Sequence, residues 1–143
     1  MNVTAEKFGY PESVLADYDH WIVQLRPAQV TLGSLVLVCK DDASAFGQIG
    51  PAASAELHRV TARIEKVLGE AFQNDKINYL MLMMVDPDVH FHVLPRYETP
   101  REYEGMTFTD EAWPGPPQIT AALEVPDAVM QALKKDLAAR FDA

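Results

Sequence analysis

The chain has 143 residues, of which 48% are apolar and 23% are charged. This composition excludes a disordered chain and predicts one globular domain spanning residues 1–143. The formal net charge of −9 argues against a nucleic-acid polymer as partner, because such binding needs a basic footprint over many phosphates. A small phosphate ligand stays compatible with this charge, since a single site can be positive on an acidic protein.

The compartment is indicated by two features of the sequence. The first twenty residues lack the basic start and continuous apolar stretch of a secretory signal, and no run approaches the roughly 18 apolar residues of a membrane span. Cys39 is the only cysteine, so no disulfide can form within the chain. We therefore expect a cytoplasmic protein that has no membrane partner.

The first half of the chain predicts two strands and a long helix. Residues 21–25 alternate in polarity as a strand does, and the apolar run within 34–40 is typical of a strand buried on both faces. From 52 to 72, apolar residues recur at steps of three and four, which predicts an amphipathic helix. Ser54 is the predicted N-cap, with Pro51 ahead of it.

The second half predicts two more strands, an irregular stretch and a closing helix. Residues 77–85 are almost all apolar and predict a central strand with both faces covered, followed by an Asp-Pro turn and an antiparallel partner. Residues 97–117 are too rich in proline for a regular helix or a central strand. Over 127–141, apolar residues again recur at helical spacing, which predicts a second helix. We expect a core over 18–97 and a C-terminal extension over 98–143.

The most informative stretch is the strand that follows that turn. Its sequence Asp88-Val-His90-Phe-His92 places polar side chains at alternate positions. Because side chains alternate faces along a strand, Asp88, His90 and His92 should line one face at intervals of ~6.6 Å. Neutral imidazole serves as a nucleophile, a base or a metal ligand near neutral pH, so this face predicts chemistry.

Two other interpretations of this face remain open. The histidines can form a polar strand face exposed to solvent and have no further role. Alternatively, Asp88, His90 and His92 resemble the two histidines and carboxylate of a metal centre. The outer two residues of this set lie ~13 Å apart on a straight strand, too far to share one ion without other ligands. We therefore assign no metal and no cofactor.

The stretch His-Phe-His-Val-Leu-Pro-Arg resembles the signature of the histidine triad family, in which three histidines alternate with apolar residues and Pro-Arg commonly follows. The upstream order of glycine, strand, long helix and strand is similar as well, so that residues 18–97 share the resemblance. It implies an α+β fold with an antiparallel sheet, a long helix packed on it and a C-terminal helix, usually assembled as a homodimer. It also implies a nucleotide ligand.

The resemblance further implies a reaction and its residues. Many members cleave a nucleoside monophosphate from a phosphoanhydride, a phosphoramidate or a related group, as in dinucleoside polyphosphates. The role of nucleophile at the α-phosphorus carries over to His90, and His92 would hold the phosphate oxygens and assist with protons. Asp88 stands where the family has its first histidine, so we expect it to modulate the site.

Other positions are candidates for substrate contacts. Ser34 occupies the place of a histidine found in many relatives after the glycine. Arg26 falls near the ribose-contacting position and shares a strand face with Gln24, so both are candidates for touching the nucleotide. Arg26, Arg96 and Lys40 are candidate phosphate donors. The leading hypothesis is thus a nucleotide hydrolase or transferase that forms a nucleotidyl-histidine. A nucleotide-binding module whose catalysis is weakened by Asp88 is the second hypothesis, and a metal-dependent enzyme is the third.

Overall fold

The protein is described by a computed structural model that covers residues 2–143. It is an α+β fold in which helices pack on a five-stranded antiparallel sheet. The strands of this sheet are β1 (Val14–Asp17), β2 (Trp21–Leu25), β3 (Leu35–Cys39), β4 (Lys76–Leu80) and β5 (His90–Arg96). The helices are α1 (Val3–Lys7), α2 (Pro51–Phe72) and α3 (Asp127–Asp142), and a short hairpin consists of β6 (Arg101–Tyr103) and β7 (Met106–Phe108).

The strand order β1-β2-β3-β5-β4 puts β3 in the middle and β4 at an edge. Strands β2 and β3 are buried on both faces, as their apolar sequences predict. The register pairs Gln24 with Val36 and Val36 with His92, so these three side chains form one row across the sheet. The next row on the same face contains Ile22, Val38 and His90.

The main core lies between one face of this sheet and helices α2 and α3. The stripe predicted on α2 is buried through Val60, Ile64 and Leu68. The helix begins earlier than expected, because Gly50 is its N-cap and Pro51 occupies the first turn, where a missing N–H costs nothing. The prediction of Ser54 as the N-cap is wrong.

The prediction of a central strand over 77–85 is wrong in both length and position. Strand β4 ends at Leu80 and lies at the edge of the sheet. The chain then leaves β5, passes through a positive φ of 49° at Met83 and exposes Met84 and Val85 by 88% and 82%. The apolar run therefore becomes a loop over 81–89, and β5 starts at His90 instead of Asp88.

The opposite face of the sheet is covered by residues 2–10, which we call the N-terminal segment. Its helix α1 and Phe8 bury Ile22, Val36 and Val38 in a second apolar cluster. Asn2 caps α1 by accepting a hydrogen bond from the backbone N–H of Ala5 at 2.9 Å. A five-residue helix has too few turns for a detectable period, so the sequence did not predict it.

The residues after 97 share the main core with the earlier ones. Phe108 of β7 and three residues of α3 are buried within it, namely Leu133, Leu137 and Phe141. Helix α3 confirms the helical spacing predicted over 127–141. Within residues 2–143, no helix combines the length and the apolar character that crossing a membrane requires.

Candidate active site

His90 is the first residue of β5, and it is 1% exposed. Its Nδ1 lies 2.7 Å from the backbone carbonyl oxygen of Asp88. A carbonyl only accepts hydrogen bonds, so Nδ1 carries the proton and donates it. In the neutral ring, Nε2 therefore keeps its lone pair, which is the state that a nucleophile or a general base requires.

His92 lies on the same face, with its ring centroid 5.2 Å from that of His90 and the two planes at 80°. Arg26 donates from Nε to Nδ1 of His92 at 3.3 Å. Since a guanidinium cannot accept, Nδ1 is the acceptor, and the proton of the neutral ring is on Nε2. The two neutral histidines thus have opposite tautomers. Nε2 of His90 carries a lone pair, and Nε2 of His92 carries a proton.

The environment keeps His92 neutral. Burial disfavours the charged ring, and the positive charge of Arg26 opposes it further, so the pKa of His92 falls to about 4. Burial also lowers the pKa of the Arg26 guanidinium from its usual range, without bringing its neutral form near physiological pH. The site therefore contains a fixed cation next to a neutral imidazole donor.

These three side chains line one cavity of about 240 Å³. Its other walls come from the N-terminal segment, from the loop after β4 and from a later loop. The lining residues from those parts are Lys7, Phe8, Leu82, Met83, Met84, Val85, Asp86, Ile119 and Thr120. The predicted convergence of His90, His92 and Arg26 is observed, and the walls around them were not predicted.

Asp88 precedes the strand and is tied to α1. Its carboxylate accepts a hydrogen bond from the backbone N–H of Thr4 at 3.0 Å, and its own N–H donates to the Thr4 hydroxyl at 3.2 Å. The side chain is not part of the cavity that the two histidines line. The hydrogen bond between Asp88 and His90 therefore uses the backbone carbonyl of Asp88.

Gln24 lies in the row that contains His92, beneath the N-terminal segment. Its Nε2 donates to the carbonyl oxygen of Ala5 at 3.0 Å and to the hydroxyl of Ser13 at 2.7 Å. Its Oε1 is buried and has no hydrogen-bond partner among residues 2–143. The segment thus separates Gln24 from the cavity and leaves a buried acceptor unsatisfied, which costs ~1–3 kcal/mol.

Ser34 and Arg96 have partners within the protein. The Ser34 hydroxyl donates to the carbonyl of Thr31 at 2.7 Å. The Arg96 guanidinium holds both oxygens of Asp110, at 2.7 and 3.2 Å, and also bonds Asn78 and the carbonyl of Gly115. Neither residue lines the cavity. Their roles as substrate contacts stay predictions, and the geometry favours structural roles for both.

Lys7 and Phe8 are two of the cavity residues that were not predicted from the sequence. The Phe8 ring lies 6.1 Å from the His90 ring and 5.7 Å from the His92 ring, centroid to centroid. Lys7 forms an ion pair with Asp86 at 2.8 Å. Because these contacts join residues about 80 positions apart, no local period in the sequence reveals them. Residues 2–143 contain no group of three or more histidine, cysteine or acidic side chains arranged to hold a metal ion.

The family model of the HIT domain matches residues 9–99. This match covers more than half of the chain, which therefore belongs to the HIT family. The family is generally nucleotide-binding and includes hydrolases and transferases. The resemblance found in the histidine strand is thereby confirmed. None of the curated proteins matches the chain.

Solved structures of histidine triad proteins have the same fold. One from Sinorhizobium meliloti is 20% identical, with a TM-score of 0.75 over 98% of this chain and 95% of that one. Another from Marinobacter aquaeolei is 19% identical, with a TM-score of 0.75 over 96% and 93%. A third from Bradyrhizobium japonicum is 21% identical, with a TM-score of 0.72 over 90% and 89%. The likeness extends over nearly the whole chain, including the parts outside 18–97.

Proposed function

We propose that the protein is a nucleotide hydrolase or transferase in which His90 is the nucleophile. The observation that carries this proposal is the hydrogen bond from Nδ1 of His90 to the Asp88 carbonyl, because it leaves Nε2 unprotonated next to a donor and a cation. Membership of the HIT family supports a nucleotide as the ligand.

The reaction has two steps. Nε2 of His90 attacks the α-phosphorus, and the bond from phosphorus to the leaving oxygen or nitrogen breaks, so that the leaving group departs with its electron pair and takes up a proton. Water then attacks the nucleotidyl-histidine, the P–N bond breaks, and nucleoside monophosphate is released. Each step replaces one group on phosphorus by another, with no change in oxidation state.

Arg26 and His92 stabilise the charge that develops on the phosphate oxygens. The Nε2–H of His92 is free to donate, because Nδ1 is already engaged by Arg26. The Arg26 side chain, which donates from Nε to His92 and from Nη1 to the carbonyl of Ala28, supplies the positive charge. Donors held in place before the reaction are effective because they need no reorganisation.

The test compares wild type with His90→Ala on dinucleoside polyphosphates and adenosine phosphoramidate. We expect wild type to release AMP and His90→Ala to lose this activity. Mass spectrometry on samples that have not been exposed to acid should detect covalently bound AMP in wild type alone. His58→Ala is the matched control, since this histidine lies on α2 and outside the cavity. Turnover that survives in His90→Ala contradicts the mechanism.

The second candidate is a nucleotide-binding module that turns over slowly. It is favoured by one observation, the 1% exposure of His90, because a nucleophile with so little accessible surface attacks phosphorus slowly. Calorimetry with AMP separates the two functions. Binding of AMP without turnover of any of the substrates above supports the module and contradicts the enzyme.

We also propose that the protein forms a homodimer. The support is the outer edge of β4, which has no partner strand among the described residues, next to the exposed apolar residues Leu82, Met84 and Val85. Unpaired strand edges and apolar patches favour association. Light scattering on the protein as it elutes from a size-exclusion column should give twice the mass of one chain. A monomer at micromolar concentration contradicts the proposal.

A further inference from the structure

The N-terminal segment covers part of the site at His90. His90 and His92 line the cavity but are only 1% and 7% exposed, and the Phe8 ring lies 6.1 and 5.7 Å from their rings, centroid to centroid. Phosphoryl transfer requires the nucleophile to come within roughly 3–3.5 Å of the reacting atom. At 1% exposure, His90 offers little surface for that approach while the segment is in place.

The volume of the cavity leads to the same conclusion. At about 240 Å³ it lies below the ~300–1,000 Å³ of typical ligand sites. A second observation is independent of volume, namely the orphan Oε1 of Gln24 beneath the segment. A ligand hydroxyl or water that enters after the segment leaves would satisfy this oxygen. The segment therefore covers an unsatisfied acceptor and restricts the approach to His90.

The segment is attached to the rest of the protein by a set of polar bonds and by the buried residues Thr4, Ala5 and Phe8. Its polar attachments are the reciprocal pair of bonds between Thr4 and Asp88, the ion pair between Lys7 and Asp86, the bond from Gln24 to the Ala5 carbonyl, and the bond from the Asn2 amide to the Cys39 carbonyl at 2.9 Å. Its apolar attachment is a small cluster around Phe8 that is separate from the main core. Because this cluster is separate, the segment can open locally while the main core stays intact.

We propose that residues 2–10 are a displaceable cover over the nucleotide site and that Asp88 is its latch. This inference rests on the proposed function, since the cover is defined by the site beneath it. Asp88 is a positioning residue: its side chain holds α1 closed, while its carbonyl orients His90. The carboxylate that replaces the first histidine of the triad thus controls access to the nucleophile.

The fraction of molecules in which the cover is open determines how the apparent affinity changes. When only a fraction of the molecules is open, the apparent Kd for a ligand equals the intrinsic Kd divided by that fraction. Loosening the latch raises the open fraction, so Kd and KM fall while kcat, which describes the open and loaded state, changes little. A residue that supports only the fold would not separate KM from kcat in this way.

The experiment combines Asp88→Ala with Asp88→Asn. Asparagine keeps an oxygen that accepts from the Thr4 N–H, whereas alanine removes it. We expect Asp88→Ala to bind AMP about three- to tenfold more tightly, which is the size of effect that losing one hydrogen bond gives, and to exchange the amides of residues 2–10 faster. Asp88→Asn should resemble wild type in both measurements. Arg140→Ala, which removes an ion pair of α3 remote from the cover, is the control.

Thr4→Val gives an independent test that spares position 88. It keeps the side-chain volume but removes the hydroxyl that accepts from the Asp88 N–H, so it should shift exchange and affinity in the same direction. In wild type, saturating AMP should speed exchange of residues 2–10. Unchanged or slower exchange in a protein that binds AMP overturns the cover alone. Failure of wild type and of both loosened variants to bind AMP overturns the proposed function instead.

Discussion

Arg26 and His92 form a hydrogen bond in which the guanidinium donates from Nε to an uncharged imidazole, 66 positions away in sequence. The pair sets two properties of the site together. It places the His92 proton on Nε2, and it keeps a positive charge where phosphate oxygens are expected.

Removal of the Arg26 charge should raise the pKa of His92. Burial lowers this pKa most, and the positive charge of Arg26 lowers it second most. Arg26→Gln should therefore move the pKa of His92 upward from about 4. Histidine NMR over a pH series measures it directly. Arg59→Gln, an exposed arginine on α2, should leave the titration unchanged. A downward or absent shift in Arg26→Gln contradicts the charge pairing.

The same substitution should weaken AMP binding. A charge-assisted hydrogen bond contributes about 1.5–3 kcal/mol, so the Kd of Arg26→Gln should rise roughly tenfold or more. Calorimetry on Arg26→Gln beside Arg59→Gln gives the comparison. Equal affinities in the two variants would mean that Arg26 does not contact the phosphate.

His92 should make the protein less stable in mild acid. Its pKa is about 4 in the folded protein, against an ordinary value of 6.5 for a solvated histidine, so the unfolded chain takes up a proton first as the pH falls. The stability from His92 is fully present above 6.5 and is lost as the pH falls toward 4. We expect a loss on the order of 2 kcal/mol between about pH 7 and about pH 4.5.

Urea unfolding of wild type and His92→Gln at both pH values isolates this contribution. The contributions of other titratable groups cancel in the difference between the two proteins. The pH dependence should be smaller in His92→Gln. If both proteins lose the same free energy of unfolding, His92 is not held neutral by the fold.

Gly33 should not tolerate a side chain. Its φ is +84°, and a Cβ there would lie 2.7 Å from Cε2 of Phe72. Left-handed backbone and contact with a packed ring together should cost about 2–4 kcal/mol in Gly33→Ala. Gly69→Ala is the matched control, because Gly69 lies within α2 with open space around it, and alanine there should stabilise by ~1 kcal/mol. Urea denaturation should give opposite signs for the two variants.

Arg96 should be essential for stability and dispensable for binding. Arg96 and Asp110 are only 4% and 3% exposed, so Arg96→Ala leaves a buried carboxylate unpaired and should cost ~3–5 kcal/mol. Replacing both partners by Met and Leu should cost less, because no charge then stays buried. Denaturation of the single and double variants measures the difference. A large loss of AMP affinity in a folded double variant would instead support the predicted role of Arg96 as a phosphate donor.

Periodic features of this chain were predictable, and contacts between distant residues were not. The stripe on α2 and the alternation around His90 and His92 repeat several times, so the sequence alone identifies their faces. The apolar run 77–85 was misassigned because length and hydrophobicity describe a buried strand and an exposed apolar loop equally well. The position of Asp88 depended on Thr4, whose proximity only the fold reveals.

The group that orients His90 belongs to the main chain, and this limits what side-chain substitutions can detect. Every replacement at position 88 keeps the carbonyl, so a scan of alanine variants would miss the feature that sets the polarity of the imidazole. Replacing the amide after Asp88 by an ester, with a hydroxy acid analogue of Val89, weakens that acceptor and changes no side chain. In this protein, a main-chain group forms part of the candidate site, and a comparison of side chains between sequences does not reveal it.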